Sequence, residues 1–353
     1  MTSTTGSDFT ADDLLAFLHR HAERIDGQLV SRVSVGEEMR RIEVDRPYVV
    51  RRRLVKELEH LGLVRRVDPR SRRVILTEPG GLSADRAATQ RRMTELRAYM
   101  SRNVLRGREF ICSSYAECSS SIEPGCSFTE GQLSHVGRYF DLTRDGKPLR
   151  VVVVGQEVGA SGSPRTSLAQ RYRAIHDGSG MDKRFAPDGE HKRRNPHMRG
   201  TTLALRVVFG NGPGSDREGE FLALDDDDAH VFDCFALVNR LICSAHATGT
   251  SEGRPTRTML ANCERHFVAT LEILQPTLIV IQGVRVWNRS RGALRVVDEI
   301  EEHLVRAKVG NGTALVCTFT HPSARGPHRW DSPESTYFRT VVEPTIERAL
   351  ARL

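Results

Sequence analysis

The stretch Phe235-Ala-Leu-Val-Asn-Arg-Leu-Ile-Cys243 decides the fold predicted for this 353-residue chain. Its first four residues are apolar, and the polar residue Asn239 follows them directly. A short apolar run of this kind is typical of a strand that is buried in a parallel sheet. Because ligands bind beyond the carboxyl ends of such strands, Asn239 stands where a ligand would bind.

Two other stretches of the chain have the same form. Val151–Val154 is followed by Gly155-Gln-Glu-Val-Gly159, and Ala314–Thr320 is followed by His321-Pro-Ser323. The carboxyl ends of neighbouring parallel strands meet at one edge of a sheet. We therefore expect the three polar motifs to converge on one pocket.

Strand-like and helix-like stretches alternate over the later two-thirds of the chain. This alternation predicts an α/β domain, with a central four-stranded parallel sheet flanked by helices. Residues 178–199 and 210–229 are predicted loops. The predicted strands cover residues 149–155, 230–238, 277–283 and 313–320, and the predicted helices cover residues 165–177, 200–209, 258–274 and 294–307.

The N-terminal segment has a different pattern. Helices are predicted over residues 11–24, 36–42 and 46–61, followed by a basic hairpin with strands over 63–67 and 72–76. Three helices before a hairpin are typical of a winged helix, whose third helix enters the major groove of DNA. A winged helix used for protein contacts is the alternative. The DNA-contacting residues predicted on the third helix are Arg51, Arg52 and Arg53.

The linker Pro79-Gly-Gly-Leu-Ser83 separates this segment from an arginine-rich connecting helix over residues 83–104. We therefore predict three parts. They are a winged-helix-like DNA-binding domain over residues 1–80, a connecting helix and linker over residues 81–109, and an α/β domain over residues 110–353.

Composition and charge favour a soluble protein with a polyanionic partner. Apolar residues make up 39% and charged residues 27% of the chain, and the formal net charge is +7. Residues 1–110 hold 22 Lys and Arg against 16 Asp and Glu. Such a basic segment predicts a nucleic-acid partner, with an ordinary arginine-rich surface as the alternative. Without a signal peptide or a membrane-spanning apolar run, we expect a cytoplasmic protein with no membrane association.

Seven cysteines are present, and structural disulfides are not expected in a cytoplasmic chain. Cys234 and Cys317 lie inside predicted apolar strands, so we expect them to be small core residues. The other five lie in polar or glycine-containing stretches, where thiolates can bind a metal ion or a cluster. These candidate ligands are Cys112, Cys118, Cys126, Cys243 and Cys263.

The three polar motifs, in this order, resemble those of the uracil-DNA glycosylase superfamily. The resemblance covers roughly residues 110–345. It implies an enzyme that flips a base out of the duplex and hydrolyses its N-glycosidic bond. In this comparison Glu157 activates water, Asn239 binds the edge of the base, and His321 donates to the base as negative charge develops.

Two further residues of the first motif belong to the wall of the predicted pocket. Gln156 aligns with a residue that shapes the pocket and its backbone, and we group it with the catalytic residues. Gly159 stands where classical members carry an aromatic residue that blocks substituents at C5 of a pyrimidine, and glycine has no side chain to do this. Val158 departs from the family, because many members have proline there. A C5-modified pyrimidine is therefore permitted beside uracil.

A second stretch, Pro255–Gly283, resembles the iron–sulfur branch of the superfamily. The order and spacing of its Asn-Cys helix and of the following proline-led strand agree with that branch. The resemblance implies a [4Fe–4S] cluster, with a zinc ion bound by four thiolates and free buried thiols as the alternatives. The implied ligands are Cys243 and Cys263 together with Cys112 and Cys118, which we favour over Cys126 as the alternative ligand.

The resemblance also implies DNA contacts around the pocket. In relatives the loop after the third motif enters the minor groove and fills the vacated stack. An aromatic side chain should stack on the flipped base, and Phe185 and Phe209 are the candidates. A basic loop should contact phosphates, with a solvated charge run as the alternative. The remaining predicted DNA-contacting residues are Lys192, Arg193 and Arg194 in the basic loop and Ser323, Arg325 and Trp330 after the third motif.

These residues predict a monofunctional DNA glycosylase that acts on uracil or a modified pyrimidine in double- or single-stranded DNA. It would leave an abasic site and use no nucleotide cofactor. One alternative is a defence enzyme that excises hypermodified cytosine from phage DNA. Another is a non-catalytic DNA-binding regulator. The sequence leaves the oligomeric state open.

Overall fold

The computed structural model divides the chain into two compact units, Met1–Gly81 and Leu82–Leu353. The residues that it describes are 10–20, 23–25, 28–32, 53–58, 64–66, 73–76, 82–131, 133–157, 167–179, 194–215, 218–224, 227–247, 249–250 and 253–353. Among these, no helix combines the length and the apolar character needed to cross a membrane.

The first unit contains an antiparallel sheet. Its elements are α1 (Ala11–Arg20), β1 (Glu23–Ile25), β2 (Gln28–Arg32), β3 (Val64–Arg66) and β4 (Arg73–Leu76). The strand order is β1-β2-β4-β3, and residues 53–58 are helical. Leu14 and Leu18 of α1 pack with Leu54, Leu58 and Val74 in a small apolar core.

The predicted hairpin is present as β3 and β4. The predicted helix over residues 11–24 is too long, because Glu23–Ile25 pairs with β2 as a strand. The predicted helix over residues 36–42 lies outside the described residues, so the winged-helix assignment stays a prediction. Arg53 is exposed on the helical segment, and Arg51 and Arg52 also lie outside the described residues.

The second unit is α/β. Its helices are α2 (Arg86–Asn103), α3 (Tyr115–Ser120), α4 (Leu168–Ser179), α5 (Pro196–Phe209), α6 (Arg257–Leu274), α7 (Val284–Ser290) and α8 (Glu343–Leu350). Short 3-10 helices cover Glu218–Glu220, Val231–Asp233 and Gly326–His328, and a π-helical turn covers Phe338–Val342.

The strands of this unit are β5 (Leu82–Ala84), β6 (Leu105–Arg106), β7 (Glu109–Phe110), β8 (Cys126–Thr129), β9 (His135–Val136), β10 (Leu142–Arg144), β11 (Lys147–Leu149), β12 (Val151–Gly155), β13 (Phe221–Leu224), β14 (Asp227–His230), β15 (Phe235–Asn239), β16 (Ser244–Ala247), β17 (Leu278–Gln282), β18 (Val296–Glu301), β19 (Leu304–Val309) and β20 (Gly312–Phe319).

A seven-stranded mixed sheet forms the centre, in the order β18-β19-β20-β17-β12-β15-β9. The four middle strands are parallel, and the strands at both edges are antiparallel. The sheet is therefore larger than the predicted four strands. All five residues of β12 are buried, because helices cover both of its faces.

Alternate residues of β12 define two apolar cores. Val151 and Val153 belong to a core that includes Leu203 of α5. Val152 and Val154 belong to a second core that includes Phe267 of α6. This alternation follows from the two-residue period of a strand, and it confirms that helices flank the sheet.

Two predicted elements are wrong. Residues 294–307 are not a helix but contribute to the antiparallel strands β18 and β19. In β19, buried Val305 and Ala307 alternate with Arg306, which is a two-residue period and not a helical one. The predicted loop over residues 210–229 contains the start of the hairpin of β13 and β14.

Candidate functional site

The three polar motifs lie side by side at one edge of the sheet. Gly155 and Asn239 are register partners at the ends of β12 and β15. On the other side of β12, strand β17 ends at Gln282 and lies beside β20, which His321 follows closely. These strand ends open on a cavity of about 840 Å³, which Glu157, Asn239 and His321 line together.

Glu157 is a half-buried carboxylate with two hydrogen bonds. Its Oε1 accepts from Nε2 of Gln156 at 3.0 Å, and its Oε2 accepts from the backbone N–H of Ala245 at 3.2 Å. Burial raises the pKa of Glu157, although these two hydrogen bonds and Arg289 oppose the shift. A carboxylate with a raised pKa is a stronger proton acceptor, as a general base requires.

Residues far away in sequence hold this carboxylate in place. Nη1 of Arg289 donates to Oε1 of Gln156 at 2.5 Å, so the Gln156 amide turns its nitrogen toward Glu157. A Cβ atom at position 253 would lie 2.0 Å from Oε1 of Glu157. Gly253 therefore leaves room for the carboxylate, and neither Arg289 nor Gly253 was predicted from the sequence.

Asn239 presents an amide that is available to a ligand. Within the part of the chain that the structure describes, no hydrogen bond engages its side chain, and the residue is half-exposed in the cavity wall. A carboxamide offers a donor and an acceptor side by side. It can therefore form two hydrogen bonds with the edge of a planar heterocycle.

His321 has a defined tautomer. Its Nδ1 accepts from the backbone N–H of Ser323 at 3.2 Å, and the Ser323 hydroxyl lies 2.7 Å from the same nitrogen. Since Nδ1 is an acceptor, the proton of the neutral ring is on Nε2. Burial lowers the pKa of His321, even though part of its ring is exposed at the cavity mouth. The residue therefore offers a neutral N–H donor near pH 7.

A second imidazole lies beside the first. The rings of His197 and His321 are nearly parallel, with centroids 5.8 Å apart and an interplanar angle of 17°. Burial, followed by the charges of His321 and Arg171, lowers the pKa of His197 to about 3, with Gln282 opposing the shift. The sequence had placed His197 in a basic loop, but at the start of α5 it lines the cavity as a neutral ring.

Three predicted DNA-contacting or base-stacking residues lie in the protein interior instead. Trp330 is fully buried, and its Nε1 donates to the carbonyl oxygen of Thr320 at 2.7 Å. Arg194 is buried in a bidentate ion pair with Glu220, with both N–O distances 2.7 Å. Phe209 belongs to the apolar core at the end of α5. These three assignments are wrong because each side chain has a partner inside the protein.

The other predicted contact residues divide into two groups. Ser323 and Arg325 are exposed on the loop that follows His321. Ser323 also orients the imidazole, which the sequence did not indicate. Four further predicted residues lie outside the described part of the chain, and they are Gly159, Phe185, Lys192 and Arg193.

No protein-family model matches the sequence, and no curated protein is significantly similar to it. The relationship to a family therefore depends on the motifs and on the geometry of the site.

A second, smaller cavity is lined by cysteines. Four of the five candidate ligands border it, and the fifth, Cys126 in β8, does not. Its apolar walls include Phe110 and Ile242. The bordering cysteines are Cys112, Cys118, Cys243 and Cys263.

The surroundings of these thiols suit a thiolate-bound group. Nδ2 of Asn262 donates to Sγ of Cys118 at 3.5 Å, and backbone N–H groups donate to Cys243 and Cys263. Burial raises the pKa values of Cys118, Cys243 and Cys263, and their mutual proximity adds to this effect. Bound iron or zinc would favour the deprotonated thiolates that burial alone opposes.

Among the described side chains, no three His, Cys, Asp or Glu residues are arranged as a ready site for a metal ion. A zinc ion and a [4Fe–4S] cluster would both use four thiolates as ligands.

Proposed function

We propose that this protein is a DNA N-glycosylase that hydrolyses the bond between deoxyribose and a flipped-out uracil or modified pyrimidine. One observation carries the proposal. Glu157, Asn239 and His321 come from three separate strand ends and line the same cavity. An acid, an amide and an imidazole are the groups that this hydrolysis needs.

Each group has a step in the reaction. The Asn239 amide binds the edge of the base, and Nε2–H of His321 donates to a base carbonyl. The C1′–N bond breaks, and its electron pair moves to the base as negative charge that His321 stabilises. Water then bonds to C1′ and gives a proton to Glu157. The base anion then takes up a proton from solvent and Glu157 releases its proton to solvent, so the products are the free base and an abasic site.

The charge of the cavity supports a nucleic-acid substrate. Its described lining includes Arg171 and Arg285 but only one carboxylate, that of Glu157. Positive potential attracts the phosphate backbone.

The size of the cavity admits a modified pyrimidine as a second candidate substrate. Its volume of about 840 Å³ includes space that is open to solvent, and it lies within the range typical of ligand sites. A pyrimidine with a substituent at C5 therefore fits as well as a bare ring. Excision of hypermodified cytosine from phage DNA is the second candidate function.

The proposal extends to the fold and to the cofactor. Four parallel strands with the motifs at their carboxyl ends support a uracil-DNA glycosylase-like domain, to which the first unit adds a DNA-contacting module. Cys112, Cys118, Cys243 and Cys263 would hold a [4Fe–4S] cluster. Bound there, the cluster would link the segment before α3 to the segment after Asn239 in a structural role.

Detection of released base tests the activity directly. Purified full-length protein is incubated with DNA containing uracil, DNA from phages with modified cytosine, and unmodified DNA, each in single- and double-stranded form. We expect mass spectrometry to detect free base from the uracil-containing DNA, from the phage DNA with modified cytosine, or from both. The same DNA should show strand breaks after alkali treatment. DNA binding without base release from any substrate contradicts the proposal and supports a regulator.

Alanine at Gly155 should weaken the enzyme without unfolding it. The added Cβ would lie 3.1 Å from Oδ1 of Asn239 and 3.4 Å from Cε1 of His197, so the amide must shift. We expect a loss of about tenfold in the single-turnover rate, because small displacements of binding groups are costly in catalysis. Gly292→Ala is the matched control, since its added Cβ meets nothing within 4 Å. Equal rates for both variants would contradict the assignment of Asn239.

A further inference from the structure

Arg171 lines the large cavity and has no counter-charge among the described residues. It lies in the first turn of α4, and within the described part of the chain its buried Nε atom has no hydrogen-bond partner. Burial lowers the pKa of Arg171, and no carboxylate of a described residue opposes this shift. Removing a cation from water without a partner is unfavourable, so such a residue needs an explanation.

Other arginines of low exposure in the described part of the chain have partners of two kinds. Arg194 forms an ion pair with Glu220, and Arg240 forms one with Glu264. Arg144 instead donates to the backbone carbonyl oxygen of Val208 at 2.7 Å. Within the described residues, the Nε atom of Arg171 has neither kind of partner.

Part of the cavity wall comes from α4. Arg171, Ala174 and Ile175 are spaced as neighbours on one face of a helix, and all three line the cavity. Ile175, Met198 and Leu237 line the cavity and belong to one apolar core. The charge of Arg171 also reaches the His197 imidazole, whose pKa it lowers.

We propose that Arg171 binds an anionic oxygen of the ligand and makes this cavity selective for a nucleotide that brings such a group to the α4 wall. The inference rests on the proposed function and adds a specificity-determining residue to it. A guanidinium donates two hydrogen bonds to a carboxylate or a phosphate, and these are stronger than bonds between neutral groups. The anion is either an acidic substituent of the flipped base or a phosphate beside it.

Binding of small probes to the full-length protein tests this without requiring catalysis. The probes are uracil, 5-carboxyuracil and inorganic phosphate, titrated by calorimetry into the wild type, Arg171→Gln and Arg171→Lys. Arg173→Gln is the matched control, because Arg173 lies on the same helix, is exposed and does not line the cavity. Arg173→Gln therefore removes one positive charge from the same helix, as Arg171→Gln does.

Loss of a charged hydrogen bond should weaken anion binding by about 10- to 100-fold. If the anion belongs to the base, the wild type prefers 5-carboxyuracil to uracil, and Arg171→Gln loses this preference. If it is a phosphate, inorganic phosphate binding is lost instead. Arg171→Lys should keep part of the affinity, and Arg173→Gln all of it. Unchanged binding of both anions in Arg171→Gln overturns the inference, as does an equal loss for neutral uracil.

Stability supplies a second measurement. Because Arg171 has no counter-charge among the described residues, Arg171→Gln should unfold at the same temperature as the wild type or higher, by on the order of 2 °C. A marked fall in the unfolding temperature would mean that Arg171 has a structural partner, and this would overturn the inference. If phosphate binding depends on Arg171 but no base is released from any DNA, the anion site stands and the glycosylase proposal fails.

Discussion

Glu157→Gln is expected to abolish base release and to leave DNA binding intact. Glutamine keeps the shape of the side chain but cannot accept a proton from water. Loss of a general base lowers a rate by about 10²- to 10⁴-fold. Single-turnover release of base from the substrate found for the wild type measures the rate, and titration of the same DNA measures the affinity.

Two controls make this result specific. Glu302→Gln removes the same charge from a side chain that is 89% exposed, and it should release base at the wild-type rate. Glu157→Gln removes a buried charge but can accept only one of the two hydrogen bonds that Glu157 accepts, so we expect its unfolding temperature at pH 7 to stay close to that of the wild type. Base release at an undiminished rate would exclude Glu157 as the base. Joint loss of release, binding and stability would assign it a structural role.

The pH dependence of base release follows from the raised pKa of Glu157. Burial raises the pKa of Glu157, so the carboxylate form is populated only at higher pH than for an exposed glutamate. The rate should therefore fall on the acid side, around this raised pKa. His321 does not add a second acid-side loss above its own lowered pKa, because it stays neutral there. In Glu157→Gln, the remaining rate of base release should not show this fall at acid pH.

The strand ends and the three motifs could be predicted from the sequence because each depends on local order. An apolar run of four or five residues marks a buried strand, and the next polar residue marks its end. Glu157, Asn239 and His321 were placed in this way. The edge strands were missed because β18 and β19 mix charged with apolar residues, which also permits an amphipathic helix.

The contacts that hold the site residues in place could not be predicted, since they come from segments that are distant in the sequence. Arg289 reaches Gln156 across 133 positions of sequence, and no local pattern indicates this pair. Trp330 and Arg194 were assigned to DNA because their residue types often contact it. Their internal partners, such as Glu220, became visible only in the folded chain. A missing counter-charge, as at Arg171, has no sequence signal at all.

Cys243→Ala or Cys263→Ala is expected to remove the proposed [4Fe–4S] cluster and to destabilise the second unit strongly. Both thiols line the cysteine cavity, and they come from the segment after Asn239 and from α6. The binding free energy of a structural metal group contributes directly to folding, and for structural zinc it is on the order of 10 kcal/mol. We expect loss of the brown colour, of bound iron and sulfide, and of a large part of the thermal stability.

Cys126→Ala tests which cysteines are the ligands of the proposed cluster. Cys126 lies in β8 outside the cavity, so this variant should keep its colour, its iron and its unfolding temperature. Loss of colour in Cys126→Ala would make Cys126 a ligand in place of Cys112 or Cys118.

A colourless wild type that holds one zinc ion would show that the four cysteines bind zinc and not a cluster. A colourless, metal-free wild type would mean that the four cysteines are free thiols. In that case Cys243→Ala should lower the free energy of unfolding by only about 1–2 kcal/mol, as expected for the removal of a small buried side chain. Since Cys243 follows Asn239 by four positions, loss of a bound cluster should also slow base release, whereas loss of a free thiol should not.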